Sequence, residues 1–308
     1  MSEKMATRQA YGEVLLELGE NNENIVVLDA DLSKSTMTAH FAEKYPNRFF
    51  NMGISEQNLF GVAAGLAHSG KIVFASTFAM FAAGRGFEII RNSIGYTKAN
   101  VKICATHAGI TVGEDGGSHQ AIEDIALMRS IPGMTVISPS DGVSARKLIK
   151  ESASLNGPVY VRLGRSAVPG IYEDNNDIKI GKGICVRDGS DYTVIANGVM
   201  VNEAIMAADI LAGEGISLRV IDMHTIKPID KEIIIKAANE TKGIVTAEEH
   251  TIIGGLGSAV SEVVVQNCPI KMAFVGIQDT FGESGKPAEL LVKYGLTADE
   301  IAKAVRNL

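Results

Sequence analysis

Short apolar runs recur along almost the whole chain, each followed by a longer stretch whose apolar residues return every three or four positions. A mostly parallel sheet covered by helices accommodates this alternation, because its strands are buried on two faces and its helices on one. In the first half, residues 25–28, 72–75, 101–105, 135–137 and 159–163 read as strands, and 55–68, 81–93 and 142–154 as helices. Tyr11, Val14, Leu15 and Leu18 mark a further helix face at the i, i+3, i+4, i+7 spacing. Over residues 169–176 the pattern gives way to Pro, Gly, Asp and Asn, the composition of a connection. A second series follows, with strands at 193–196, 218–221, 244–247 and 272–275 and helices near 202–213, 231–241 and 256–266. The expected fold class is α/β, with two doubly wound, mostly parallel-sheet domains at 1–168 and 191–308 and a linker at 169–190.

Charge and cysteine usage narrow the partners. A formal net charge of -7 over 308 residues offers little attraction for nucleic acid or an anionic membrane surface, and no basic run appears. A small phosphorylated ligand needs only a local patch of Arg and His. Cys104, Cys185 and Cys268 are too far apart to suggest a disulfide framework or a metal site. The N-terminal residues are charged and helix-forming, unlike a signal sequence, and no apolar run approaches the roughly 20 residues of a membrane helix. A reducing cytoplasm is the expected compartment.

Polar chemistry gathers just after the strands, where open α/β sheets bind ligands. The loop His107-Ala-Gly-Ile-Thr-Val-Gly-Glu-Asp-Gly-Gly-Ser-His119 brings two histidines and two acids after the run 101–105. Gly109, Gly113, Gly116 and Gly117 relax its backbone and leave room beside it for a substrate. Gly53-Ile-Ser-Glu56 places an acid at the start of a helix with small apolar turns, so Glu56 should be buried; alone, it also reads as support for that helix N-terminus. Phe78 and Phe81 follow a strand three residues apart, a pair whose default reading, taken alone, is core packing.

Taken together and in order, these segments resemble the pyrimidine-binding domain of transketolase, a thiamine diphosphate-dependent enzyme. The resemblance runs through Ala6-Thr-Arg8, Asp29-Ala-Asp31-Leu-Ser-Lys-Ser35, Gly53-Ile-Ser-Glu56, Ser76-Thr-Phe78, the 107–119 loop and Val161-Arg162-Leu-Gly-Arg165. The segment Asp279-Thr-Phe-Gly-Glu-Ser-Gly-Lys-Pro-Ala-Glu-Leu-Leu is similar to the closing segment of transketolases. Glu248-Glu-His250 with Gly254-Gly-Leu-Gly-Ser-Ala-Val260 resembles a stretch shared by the last domain of several thiamine enzymes; by itself that glycine cluster reads as a strand-to-helix turn.

The resemblance implies roles. Glu56 matches the carboxyl that meets the pyrimidine ring nitrogen and drives the cofactor's aminopyrimidine into its basic form. Phe78 and Phe81 match positions packed on the ring face, while Gly84 stands where a tyrosine usually completes the clamp. His119 matches the contact to the reacting end of the sugar, and Asp115 the contact to the neighbouring hydroxyl. Arg8, Ser35, His107 and Arg165 match the grip on the sugar phosphate, and Asp31 a contact to the cofactor-binding domain across a subunit interface. Glu56, His107 and His119 form the implied catalytic set.

The Gly-Asp-Gly motif with a later asparagine, by which thiamine enzymes hold Mg²⁺ and the diphosphate, does not occur; the one Asp-Gly-Gly run, from Asp115 to Gly117, lies in the substrate loop. This implies the C-terminal subunit of a split prokaryotic transketolase, metal-free itself, completed by an N-terminal subunit and assembling as α₂β₂. The apolar turns at residues 59–66 would fit burial against another chain. A 2-oxo acid dehydrogenase β subunit, a deoxyxylulose-phosphate synthase relative and a non-catalytic partner subunit are the other readings. The 107–119 loop and the ending favour transketolase over the first two, and retention of Glu56, His107, Asp115 and His119 speaks against the third.

Overall fold

The computed structural model describes residues 4–308. Among them the strands are β1 (Met5–Ala6), β2 (Ile25–Asp29), β3 (Phe49–Asn51), β4 (Ile72–Phe78), β5 (Val101–Thr106), β6 (Thr135–Ile137), β7 (Val159–Arg162), β8 (Ala167–Val168), β9 (Ile184–Arg187), β10 (Tyr192–Ala196), β11 (Leu218–Asp222), β12 (Thr225–Lys227), β13 (Ile244–Thr251) and β14 (Met272–Ile277). One sheet has the order β12-β6-β7-β5-β4-β2-β3 and is parallel except for β12. A second has the order β14-β13-β10-β11-β9 and is parallel except for β9, while β1 and β8 pair by themselves. Every residue of β2, β5 and β7 is buried, which is why these strands read as mostly apolar runs, interrupted in β5 by Lys102, rather than alternating ones. The α/β class and the two mostly parallel sheets are as expected.

The two halves are less separate than the composition suggests. β12 belongs by sequence to the second series, yet it pairs antiparallel with β6 in the first sheet, Thr225 opposite Ile137. The stretch expected as a linker is a packed strap. It contributes β9 to the second sheet, and Tyr172 and Ile178 are buried. The Asp141 carboxylate accepts from the backbone N–H groups of Ile171 (2.8 Å) and Tyr172 (2.9 Å), and the Tyr172 hydroxyl donates to Asp222 at 2.8 Å. Tyr172 and Ile178 are its buried anchors, while 173–177 between them are exposed.

The helix expected at 81–93 is also modified. Phe81–Arg85 and Ile90–Gly95 are π-helical turns on either side of the single α turn Phe87–Ile89. Such widened turns absorb an extra residue without ending the helix.

The site is positioned by the chain's path through the first sheet. From β2 the chain moves outward to β3, then crosses to the other flank of β2 as β4, which opens a crevice beyond the carboxyl ends of β2 and β4. Glu56 begins the helix Glu56–His68 after β3, and Phe78 ends β4. The apolar composition of this helix is explained within the chain. Leu59, Phe60, Ala63 and Ala64 are buried in its own core, whereas Gly61 and Gly65 face open space.

Candidate active site

The rim after β2 is built by two side chains, Asp29 and Asn51, to which the sequence assigned no role. Asp29 is fully buried and accepts hydrogen bonds from the Leu32 N–H (2.5 Å) and the hydroxyls of Thr36 (2.6 Å) and Thr38 (3.0 Å). Burial raises its pKa while those donors oppose the shift. Asn51, at the end of β3, accepts from the N–H groups of Asp31 (3.1 Å) and Gly53 (3.0 Å) and donates to the Asp31 carboxylate at 2.9 Å. It thereby ties Asp31, exposed and with φ +64°, to the turn at Gly53 (φ +71°) that leads into Glu56. Glu56 is 2% exposed, as expected, and its Oε2 accepts from Arg85 Nη1 at 3.3 Å.

Beside it lies an aromatic corner. The rings of Phe78 and Phe81 are 6.1 Å apart and nearly parallel, and Phe78 stacks on His107 at 3.9 Å. His119 stands edge-on to both, 5.3 Å from Phe81 and 6.4 Å from Phe78. The fold thus brings Phe78, Phe81, His107 and His119 together from the ends of β4 and β5 and the loop beyond.

A basic corner adjoins the aromatic one. Arg8 donates to the carbonyl oxygen of Ser35 at 2.7 Å and points Nη1 at His107 Nε2, 3.5 Å away. Ser35 therefore meets Arg8 through its backbone rather than its hydroxyl. An arginine only donates, so His107 Nε2 must accept, and Nδ1 carries the proton and donates to Thr106 Oγ1 at 2.9 Å. Burial, then the charges of Arg8 and Arg165, push the His107 pKa down to about 3. Arg8 Nε is buried without a partner. A neutral imidazole and an unsatisfied guanidinium N–H suit an incoming anion. Arg165 donates to the Val112 carbonyl and lies 3.7 Å from the Glu114 carboxylate and 3.9 Å from that of Asp115, so both acids sit at the mouth of this corner.

His107 should hold its neutral form across the physiological range. Its ring resonances in a ¹H–¹⁵N spectrum are expected to stay flat from pH 8 to pH 5, and a midpoint near the ordinary 6.5 would contradict the assignment. Since the folded pKa lies below the unfolded one, His107 contributes stability above pH 6.5 that is lost as pH falls toward 3.

The 107–119 loop departs from expectation in one respect. The space beside its glycines is not left for a ligand. A Cβ at Gly109 (φ +79°) would lie 2.2 Å from the Glu249 carboxyl carbon, and one at Gly116 (φ +77°) 2.5 Å from Ser284 Oγ. Glu249 itself accepts from the Thr111 N–H at 2.7 Å, and Gln120 donates to the carbonyls of Glu283 (2.9 Å) and Ile110 (3.2 Å). The glycines let the second half of the chain clamp the loop. Only the adjacent acids of Glu248-Glu-His250 hinted at this, and their spacing does not reveal a contact across 138 residues.

A buried carboxyl beside stacked aromatics fits a flat, nitrogen-bearing ring such as the pyrimidine of thiamine diphosphate. Among the described residues no group of three or more His, Cys, Asp or Glu could hold a metal ion, and no helix is long and apolar enough to cross a membrane.

Comparison with known proteins shows the family. Residues 3–170 match the family described as transketolase, pyrimidine binding domain, and residues 181–301 the family described as transketolase, C-terminal domain. The chain is 56% identical over 301 residues to a putative transketolase C-terminal section of Methanocaldococcus jannaschii, covering 97% of this chain and 94% of that one. It is 42% identical over 301 residues to the 6-deoxy-6-sulfo-D-fructose transketolase subunit SqwH of a Clostridium species, covering 98% and 94%. A solved structure described as a split gene transketolase, inactive beta4 tetramer, superposes with a TM-score of 0.93 at 56% identity, covering 98% of each chain.

Proposed function

We propose, from the premise that this chain belongs to the transketolase family, that it is the C-terminal subunit of a split transketolase. The family is one of transferases that use thiamine diphosphate, which when bound supplies the nucleophilic carbon that takes a two-carbon ketol unit from a ketose. In this reading the unit passes from a ketose phosphate to an aldose phosphate. The observation that carries it is the buried Glu56 carboxyl set against the Phe78 and Phe81 corner, with His107 and His119 from one loop and Arg8 from the first helix converging there.

Glu56 holds and shares the proton at the pyrimidine ring nitrogen, in a pocket dry enough to keep that proton from solvent. Phe78 and Phe81 fix the plane of the ring. His119, edge-on to Phe81, reaches the reacting end of the sugar, and Asp115 reads the adjacent hydroxyl. Arg8, the Ser35 backbone turn, His107 and Arg165 grip the remote phosphate, whose binding energy positions the reacting carbon. Asp31, on the exposed rim, contacts the cofactor's domain across the interface.

An N-terminal subunit provides the Mg²⁺ ligands and the diphosphate grip in this proposal, since the Gly-Asp-Gly motif does not occur in this sequence. A tetramer of a 56% identical chain described as inactive supports the need for a second kind of subunit. Two copies of each, working in the cytoplasm, complete the assembly. The decisive assay is ketol transfer from xylulose 5-phosphate to ribose 5-phosphate with Mg²⁺ and thiamine diphosphate, with this chain alone and with an N-terminal subunit. Transfer by the mixture alone is expected; transfer by the chain alone would refute the shared site.

Replacing Arg165 with Ala should raise KM for a phosphorylated acceptor about 10- to 100-fold, the loss of a charge-assisted hydrogen bond. Glycolaldehyde, an acceptor without phosphate, should be almost unaffected. Equal losses for both acceptors would remove Arg165 from the phosphate grip.

A further inference from the structure

The resemblance assigns no role to Arg85, yet its guanidinium lies inside the site. It closes the π-helical turn Phe81–Arg85, stands 5.3 Å from the centroid of the Phe81 ring and reaches Glu56 Oε2 at 3.3 Å. The next residue is pinned, because a Cβ at Gly86 would fall 2.5 Å from the ring of Phe60 in the helix that carries Glu56. The turn is thus seated against the Glu56 helix, with Arg85 projecting over the crevice.

We infer that Arg85 is a placeholder for the cofactor's pyrimidine: it lies over Glu56 and the face of Phe81 and swings into solvent when the ring binds. A guanidinium is flat, cationic and rich in N–H donors, so it offers Phe81 and Glu56 the same two contacts that a ring-protonated aminopyrimidine makes, stacking and a donated hydrogen bond to the carboxylate. The carboxyl of Glu56 is 2% exposed, whereas the Arg85 side chain is 56% exposed. A carboxyl so buried is stabilised by a cation within reach. The ring and the guanidinium cannot share one face of Phe81 and one carboxylate oxygen. Exposure of the Arg85 side chain leaves it an open route outward. Arg85 and Gly84 stand in the region where the family's clamp tyrosine is missing, so the crevice carries a removable cover instead of a fixed aromatic.

The inference rests on the reading of Glu56 as the pyrimidine's partner, and the test separates the two. Thiamine diphosphate is titrated calorimetrically, at saturating Mg²⁺, into the complex of this chain with an N-terminal subunit. Arg85→Met is expected to bind the cofactor about three- to tenfold more tightly, the release of an ion pair and a cation–π contact. In the cofactor-free chain the same substitution should lower the melting temperature, and should no longer do so when Glu56 is already Gln. Arg85→Lys, which keeps the charge without the planar fork, should lie between Arg and Met in affinity. Unchanged or weaker binding by both variants overturns the placeholder and leaves the transketolase reading intact. If Glu56→Gln alone leaves cofactor binding and transfer unchanged, Glu56 does not meet the pyrimidine and both fall.

Discussion

Glu56→Gln is expected to cut ketol transfer by the complete enzyme about 10²- to 10⁴-fold, the range for losing one positioned proton-transfer group. The substitution keeps the size and shape of the side chain, so Leu59, Phe60 and Ala63 on the following turns should pack as before. What disappears is the capacity of a buried carboxyl to hold and share a proton. Arg85 loses its ionic partner but already reaches solvent, so the fold should survive; the melting temperature checks this before kinetics are read. KM for both sugars should change little, because the proposed phosphate grip at Arg8, His107 and Arg165 is built on other segments. Full turnover by a folded complex would remove Glu56 from the chemistry.

The largest effect on stability is expected at Arg162. At the end of β7 its side chain is 5% exposed, and Nε bonds both oxygens of a fully buried Asp124, at 2.9 and 3.1 Å. Its Nη2 donates to the carbonyls of Ala121 (3.2 Å) and Glu249 (2.9 Å), and the Tyr160 hydroxyl completes the Asp124 shell at 2.7 Å. This one guanidinium joins the first sheet, the end of the site loop and β13 of the second sheet. Arg162→Met would strand the Asp124 charge in the interior and unpair two carbonyls, at a cost of about 3–5 kcal/mol. Denaturant unfolding measures it. Adding Asp124→Leu should recover much of the loss, because no buried charge then remains; a loss under about 1 kcal/mol for the single variant would mean that the pair is hydrated or dispensable.

Legibility in the sequence followed the range of the interaction involved. Buried parallel strands such as β2, β5 and β7 announce themselves as apolar runs because both their faces are covered, whatever lies beside them. Short pieces whose only rationale is a distant partner did not. β3, β9 and β12 carry little pattern of their own and are strands because β2, β11 and β6 offer them hydrogen bonds. The same division holds in the site. Glu56, Phe78, Phe81, His107 and His119 were visible as motif residues after strands. Asn51, which ties Asp31 to Gly53, and Glu249, which fills the space beside Gly109, act through contacts that no local spacing encodes.

By itself, then, the amino-acid order determined the α/β class, the two series of strands, the family to which the chain belongs and the residue types available for chemistry, since all of these follow from local periodicity and short collinear motifs. Only the tertiary structure decided that β12 would cross to the first sheet, that the site glycines would serve as seats for the second half of the chain, and that Arg85 would lie over Phe81 against Glu56. Those outcomes depend on which surfaces meet after folding. A buried carboxylate or an unpaired strand edge takes whichever partner the packing brings within reach, and that choice is made in three dimensions.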